Sequence, residues 1–421
     1  ILGFSIPLLF GNLFQQFYSM VDTMIVGRVL GTGPLAAVGS TGSITFLIIG
    51  FCLGLCSGFA IPVAQRFGSR DYKELRRFIG NAVWLCVGFG IVLTVLTVIF
   101  CRNILEFMDT PADIIDDAYA YLVVIFAGIP ATFLYNMLAG IQRAIGDSRT
   151  PVVILVIASI INIVLDIVLV VFIPMGVAGA AVATVASQLI GGVVCLLYVS
   201  KHYEVLKMTR EDFKINVPCI KRLLSMGLPM ALQTSITAIG SVILQASVNS
   251  LGSTVVASIT AGSRLYMFFA CAYDAMGVTM STYSGQNIGA RKIDRIGQGV
   301  KACNIVGIIY SVLALLIIVF LGKWMLLLFV DAGETAIINS AYWYLVCRGL
   351  FMIPLTFVNV LRLTIQGMGY SRLALFAGVF EMIARGGVGL FLVPLFGFNA
   401  ACFSGPIAWI LADSFLIPMY Y

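Results

Sequence analysis

The sequence predicts an all-α membrane protein in which twelve transmembrane helices form two six-helix bundles. The first observation is composition, because 60% of the 421 residues are hydrophobic, 10% are charged, and the mean hydropathy is +1.04. Soluble domains carry about 25% charged residues, so this much apolar surface excludes a soluble fold. The apolar runs are continuous rather than alternating, which argues against a β-barrel.

The second observation is an internal repeat at a nearly constant offset of 221 to 223 residues. Several polar, glycine and proline positions of the first half recur in the second: Pro7 as Pro229, Gln65, Gly68 and Arg70 as Gln286, Gly289 and Arg291, Gly146 as Gly369, and Gly176 as Gly397. A fixed period near half the chain length indicates two copies of one structural unit.

Polar breaks divide the chain into twelve apolar segments, most of them long enough to cross a hydrocarbon core of about 30 Å as a helix. They lie near residues 3–27, 36–65, 78–101, 115–142, 151–173, 176–199, 223–249, 255–285, 298–321, 335–366, 373–394 and 397–419. We therefore expect an N-terminal lobe (1–200), a polar linker (201–222) and a C-terminal lobe (223–421).

The basic residues set the orientation of these helices. Most of them follow even-numbered segments, and the positive side of a membrane protein faces the cytoplasm. Both termini and the linker are therefore expected in the cytoplasm, and the acidic loop after segment 3 outside: Asp109, Asp113, Asp116 and Asp117. Six helices per repeat make the copies parallel, so a pseudo-twofold axis along the membrane normal should relate them. This orientation accounts for the net charge of +6 and excludes a nucleic-acid partner.

Charged residues inside the apolar segments are costly and mark candidate functional positions. The second lobe has six: Arg264, Asp274, Arg348, Glu381, Arg385 and Asp413. Because Glu381 and Arg385 are spaced i,i+4 with the acid first, we expect a structural ion pair.

The first lobe has two such residues, Asp22 in helix 1 and Asp166 in helix 5. The only basic residue near these acids is Arg28, at a helix end. Counting along each helix places both acids at the same depth in the outer half of the membrane. Asn162 lies one turn from Asp166. Tyr121 and Thr184 are expected at a similar depth, where their hydroxyl oxygens are further candidate ligands.

Two acids with oxygen-bearing neighbours suit a cation. Asp22, Asp166 and Asn162 offer the hard oxygen ligands that Na⁺ prefers, and a low dielectric alternatively favours a protonated carboxyl group. The alternative is a purely structural role, in which the two acids only hydrogen-bond to hydroxyl groups of the helices. Gln15 and Tyr18 share a helical face with Asp22, and this polar stripe is expected to face a cavity rather than lipid.

An enzyme is not expected from this sequence. It shows no His and acid metal set, no nucleophile elbow and no Gly-rich phosphate loop, so no cofactor beyond a coupling H⁺ or Na⁺ is predicted. Cys52 and Cys56 lie one turn apart without further metal ligands and are interpreted as packing residues. His202, in a polar stretch, is interpreted as solvated.

The stretch FQQFYSMVDTMIVGRVLG (14–31), the repeated Gln-x-x-Gly-x-Arg and NIVLD (162–166) resemble the multidrug and toxic compound extrusion (MATE) transporters. An acid on helix 1 and Asn-x-x-x-Asp on helix 5 are similar to the prokaryotic DinF-like branch. The resemblance covers essentially the whole chain.

The resemblance implies an antiporter in the cell membrane, expected as a monomer in the lipid bilayer, that exports organic, often cationic, compounds in exchange for H⁺ or Na⁺ by alternating access. It implies coupling-ion binding by Asp22 and Asp166 with the residues Asn162, Tyr121 and Thr184. It implies substrate contacts from Gln15, Tyr18 and, more weakly, Asn136. The alternative is a flippase for lipid-linked sugars or lipids from the same superfamily.

Overall fold

The computed structural model describes residues 1–108 and 110–421, without the side chain of Thr32. Asp109, which belongs to the predicted outer acidic loop, lies outside the described residues. The described chain is almost entirely helical and contains no strand.

In the described residues, twelve long helices, several of them interrupted, follow one another. They are α1 (Leu2–Ile25, then a π-helical turn Val26–Leu30), α2 (Thr32–Ser40 and Gly42–Gly68), α3 (Tyr72–Ile99), α4 (Ile115–Ala127 and Ile129–Ala144), α5 (Arg149–Asp166, then a π-helical turn Ile167–Phe172), α6 (Val177–His202), α7 (Val217–Asn249), α8 (Ser253–Gly289), α9 (Ile293–Leu326), α10 (Thr335–Leu350 and Met352–Met368), α11 (Ser371–Gly387, a π-helical turn Val388–Leu392, and Val393–Phe396) and α12 (Phe398–Tyr420). Two short helices, Cys101–Phe107 and Glu204–Leu206, complete the set. Each predicted apolar segment corresponds to one long helix.

Within the described residues, nine helices are long and apolar enough to cross a membrane, or eleven when α4 and α10 each count as one span. Those two helices bend by 46° and 54° at their breaks. Pro130 and Pro354 lie just after the breaks, and proline is a common cause of a sharp bend because it removes a backbone donor. Helix α1 is the remaining long helix, and its polar residues lower its hydropathy.

The chain divides into two compact units, residues 6–231 and residues 1–5 with 232–421. The first unit packs around fully buried side chains such as Phe59, Leu75 and Phe126. The second has its own core, in which Tyr344 and Cys402 are buried. The lobe boundaries expected from the sequence stay a prediction.

The repeat extends to unusual backbone conformations. Arg70 and Arg291 have φ of 58° and 57°, and in the described chain they are the two non-glycine residues in the left-handed region. Gly31 and Gly252, also 221 residues apart, have φ of 95° and 99°. A side chain other than glycine is disfavoured at such positions, so matching exceptions indicate that both copies retain the same turn geometry.

The outer surface of the helices is apolar. Ile91 is 58% exposed, Phe172 75% and Phe320 73%. A soluble protein rarely leaves so many large apolar side chains in contact with water. The exposed apolar surface and the long helices therefore fit a hydrocarbon environment, and the chain is a multi-pass membrane protein.

Candidate functional site

The two acids of the first unit meet. Asp22 lies on α1 and Asp166 is the last α-helical residue of α5, and their carboxyl groups are close enough to interact directly. Asp166 is fully buried and Asp22 is half-buried. A π-helical turn begins directly after Asp166 and four residues after Asp22. Such turns are frequent at functional sites because they change the direction of side chains on a helix.

Several oxygen atoms at this point have no hydrogen-bond donor among the described residues. They are Asp22 Oδ1, Asn162 Oδ1 and both carboxylate oxygens of Asp166. Two ionised carboxylates are acceptors only and cannot hydrogen-bond to each other. Leaving buried acceptors without a partner costs free energy. A proton shared by the acids, or a small cation among the oxygens, would remove that cost.

The neighbouring polar groups hold Asn162 in place. Asn162 Nδ2 donates to Thr184 Oγ1 at 3.5 Å, and that hydroxyl donates to the carbonyl of Ala180 at 3.1 Å. With its amide nitrogen engaged, Asn162 has its carbonyl oxygen free for a ligand. Tyr121 lies within electrostatic range of Asp22 and Asp166. The structure thus brings all five predicted coupling residues together in one unit.

A cavity of about 170 Å³ in the first unit, here called the polar cavity, lies beside the acids. The predicted substrate-contacting residues Gln15, Tyr18 and Asn136 all line it, and so does Asn162. Tyr18 contacts Gln15 and is within electrostatic range of Asp22. Gln15 and Tyr18 of the polar stripe on α1 therefore face this cavity, whereas Asp22 does not line it and lies within electrostatic range of Tyr18.

The sequence reading missed one charged residue of this cavity. Arg143 directly follows the predicted segment 115–142, in a break expected to be basic and cytoplasmic, and Arg28 was expected to be the only base near the two acids. The structure instead places Arg143 on the wall of the polar cavity, near Tyr135. Its proximity to a predicted helix end obscured this, because a long arginine side chain can reach back along its own helix.

The predicted pair in the second unit is present but incomplete. Arg385 Nη2 donates to Glu381 Oε2 at 3.4 Å. Arg362, which the sequence reading omitted from the charges inside the membrane, donates from Nη1 to Glu381 Oε1 at 2.9 Å. Glu381 therefore lies between two guanidinium groups, and its shorter contact is to Arg362.

The other charges of the second unit have different environments. The guanidinium carbon of Arg348 lies 4.7 Å from the ring centre of Tyr266, 4.8 Å from Tyr344 and 5.7 Å from Trp409. Aromatic faces attract a cation, so these rings stabilise the charge of Arg348 without a carboxylate. Asp413 lies within electrostatic range of Glu381 and Arg362.

The fold and the site together define a multi-pass membrane transporter built from a duplicated unit. The family profile described as MatE matches residues 7–168 and again residues 229–390. The chain belongs to the MatE family of transporters and is not an enzyme. The two matches confirm the duplication, since they begin 222 residues apart, at residues 7 and 229.

Relatives and solved structures agree with this assignment. The chain is 31% identical over 340 residues to a probable multidrug resistance protein, YoeA, of Bacillus subtilis, covering 79% of this chain and 73% of the relative. It is 26% identical to a FAD transporter of Shewanella oneidensis, over 71% of this chain and 67% of that relative. A solved MATE family transporter in an outward-facing conformation has a TM-score of 0.92 at 22% identity, over 98% of this chain and 93% of the other. The predicted fold class is confirmed.

Proposed function

We propose that this protein exports organic compounds, often cationic, in exchange for H⁺ or Na⁺ by alternating access. The observation that carries the proposal is the group of unpartnered buried oxygens on Asp22, Asn162 and Asp166. Like charges in contact are unfavourable, so at least one positive charge is expected between the two acids. A bound proton would make one acid a donor, and Na⁺ would find carboxylate and carbonyl ligands.

Exchange follows when ion and substrate compete for this negative charge. With the acids unoccupied, the pair attracts a cationic substrate into the polar cavity beside Tyr18. When an ion enters from outside, it neutralises the pair and favours release of the substrate. One charge moving down a potential of 100 mV provides about 2.3 kcal/mol, which corresponds to a concentration ratio of roughly fifty.

The orientation and setting of the protein belong to the same proposal. The distribution of basic residues supports cytoplasmic termini, and we propose a monomer in the cell membrane. The name of YoeA supports drug export, and the name of the FAD transporter supports a wider range of substrates. A flippase for lipid-linked sugars would require a cavity that mainly binds anions, whereas the acid pair beside this cavity favours a substrate with a cationic part.

The proposal is tested with purified full-length chain in proteoliposomes loaded with a fluorescent organic cation such as ethidium. An H⁺ gradient and a Na⁺ gradient are imposed separately. We expect one of them to accelerate efflux, and Asp22→Asn to abolish the acceleration. Asp113→Asn, which changes an exposed acid outside the helices, is the matched control. Efflux that neither gradient accelerates would refute the proposal.

A further inference from the structure

Arg143 has an unusual position for a charged residue. It lies near the end of α4, which finishes at Ala144, and its side chain lines the polar cavity. Among the described residues that line this cavity, Arg143 is the one with a full charge. Its nearest electrostatic neighbours are Tyr135, Cys56 and Cys195, which are not carboxylates.

No ion pair among the described residues includes Arg143. In the second unit, Arg362 and Arg385 pair with Glu381 and Arg348 packs on aromatic rings, whereas Arg264 is exposed. A guanidinium cannot lose its charge in a protein, and a charge within the membrane costs roughly 3 kcal/mol or more. Arg143, which is half-buried in a cavity wall without a carboxylate neighbour, is therefore a candidate for binding an anionic group of a ligand.

The internal repeat shows that the scaffold does not need this charge. With the offset of 223 that relates Gly146 to Gly369, Arg143 corresponds to Gln366. Gln366 is neutral and buried, and it donates a hydrogen bond to Gln233 at 2.6 Å. At the equivalent position of the second copy, a neutral amide makes a side-chain hydrogen bond to a neighbouring helix, so the positive charge is specific to the first unit.

The polar cavity thus has a positive charge on its wall, and the negative charge of Asp22 lies beyond Tyr18, outside the lining. Tyr18 connects it to Asp22, while Arg143 lies two helical turns beyond Asn136, or about 10 Å along α4 at 1.5 Å per residue. Its volume of about 170 Å³ is below that of typical drug sites, which hold roughly 300 to 1,000 Å³. The space around Arg143 therefore suits the charged end group of a ligand.

We propose that Arg143 binds the carboxylate or phosphate group of an amphoteric organic substrate, whose cationic group is attracted by Asp22 and Asp166. Guanidinium offers paired donors that match both anionic groups. This inference rests on the proposed transport function and specifies the substrate class. Amphoteric compounds would gain binding free energy from both Arg143 and the acid pair, whereas simple cations would gain it from the acid pair alone.

The test compares two probes that differ in one group: a rhodamine dye with a free carboxylate and its methyl ester. Binding of each is measured by fluorescence polarisation, without an ion gradient, on the full chain in phosphatidylcholine nanodiscs. We expect Arg143→Gln, which copies the repeat partner, to weaken binding of the carboxylate dye about tenfold or more and to leave the ester unchanged. Arg143→Lys should give an intermediate loss. Arg149→Gln, at an exposed arginine, is the control.

An equal loss of binding affinity for both dyes in Arg143→Gln, or no loss of affinity for either dye, would overturn the inference. If Arg143→Gln fails to fold, competition on the wild-type chain decides: benzoate should displace the carboxylate dye and benzamide should not, and equal displacement overturns the proposal. Anionic phosphatidylglycerol added to the nanodiscs should leave binding of the carboxylate dye to the wild type unchanged. If the lipid instead lowers the affinity of the wild type for the carboxylate dye to that of Arg143→Gln, Arg143 binds a lipid phosphate and the proposal is overturned. Because binding is read without a gradient, a failure of ion-driven efflux is a separate result.

Discussion

Replacing Glu381 with Gln removes the negative charge that holds two arginines inside the second unit. The Glu381 side chain is 4% exposed, and those of Arg362 and Arg385 are 19% and 18% exposed. Breaking a buried pair by removing one partner costs about 3 to 5 kcal/mol, because the other charge is left uncompensated. Since both guanidinium groups lose their partner, we expect Glu381→Gln near the upper end of that range.

The two arginine variants should differ. Arg362 makes the shorter contact to Glu381, at 2.9 Å against 3.4 Å, and Arg385 also donates to Ser241 Oγ at 2.7 Å. After Arg385→Met, Glu381 keeps the closer partner, Arg362, so the loss of stability should be the smallest among the three single variants. After Arg362→Met, Glu381 keeps only the longer one, and the loss should be larger.

The double variants test the arrangement most sharply. The i,i+4 spacing alone predicts that Glu381→Gln with Arg385→Met recovers much of the lost stability. The structure predicts a poorer recovery, because Arg362 loses its 2.9 Å contact to Glu381 and keeps only the 3.2 Å hydrogen bond to Asn359 and the more distant Asp413. Glu381→Gln with Arg362→Met should recover more, because the remaining Arg385 loses only the longer contact of 3.4 Å and keeps the 2.7 Å hydrogen bond to Ser241. The assay is the apparent thermal unfolding midpoint of purified protein in one detergent at one scan rate. Equal recovery in the two double variants would refute the assigned geometry.

Variants at three further positions test other parts of the structure. Asp22→Asn should abolish ion-coupled efflux at an unchanged surface level, and wild-type efflux at equal expression would contradict the coupling site. Asp147 lies outside the membrane-spanning helices; burial raises its pKa, but hydrogen bonds from Thr150, Tyr203 and the backbone outweigh this and hold the pKa below its usual value. The stabilisation by ionised Asp147 is therefore present above the usual carboxyl pKa of about 3.9 and is lost as pH falls through the lower pKa of the folded state. Asp147→Asn should lower the melting midpoint at neutral pH and make the midpoint depend less steeply on acid pH. An equally steep pH dependence of the midpoint in the variant would contradict this. Arg291→Val should destabilise by about 1 to 3 kcal/mol because a β-branched residue is strained at positive φ, while Arg291→Gly should not; equal melting midpoints would contradict the left-handed turn.

Much of the fold could be predicted from the sequence because its signals are local and repeated. Continuous apolar runs identify the helices, and a constant offset identifies two copies. The equal depth of Asp22 and Asp166 could be predicted as well, because it needs only helical rise and chain direction. The contact between their carboxyl groups also requires the two helices to lie side by side, which neither quantity gives.

The missed residues depend on where long side chains point. Arg143 and Arg362 both lie in the last turns of a helix, where an arginine can extend past the helix end or back into the bundle. Position along the chain does not distinguish these directions. For Arg143 a signal existed in the repeat, since its counterpart Gln366 is neutral, and a charge present in one copy alone is a candidate for function.

The central claim is that Asp22 and Asp166 hold a cation that competes with the substrate. The most direct measurement is the number of protons released when a permanent organic cation, tetraphenylphosphonium, binds the purified protein in weakly buffered solution, with and without Na⁺. We expect either proton release on binding, which Asp22→Asn and Asp166→Asn remove, or binding that Na⁺ weakens in the wild type but not in these variants. Binding that releases no proton, is unaffected by Na⁺, and keeps the same affinity between about pH 5 and about pH 8 would contradict the claim.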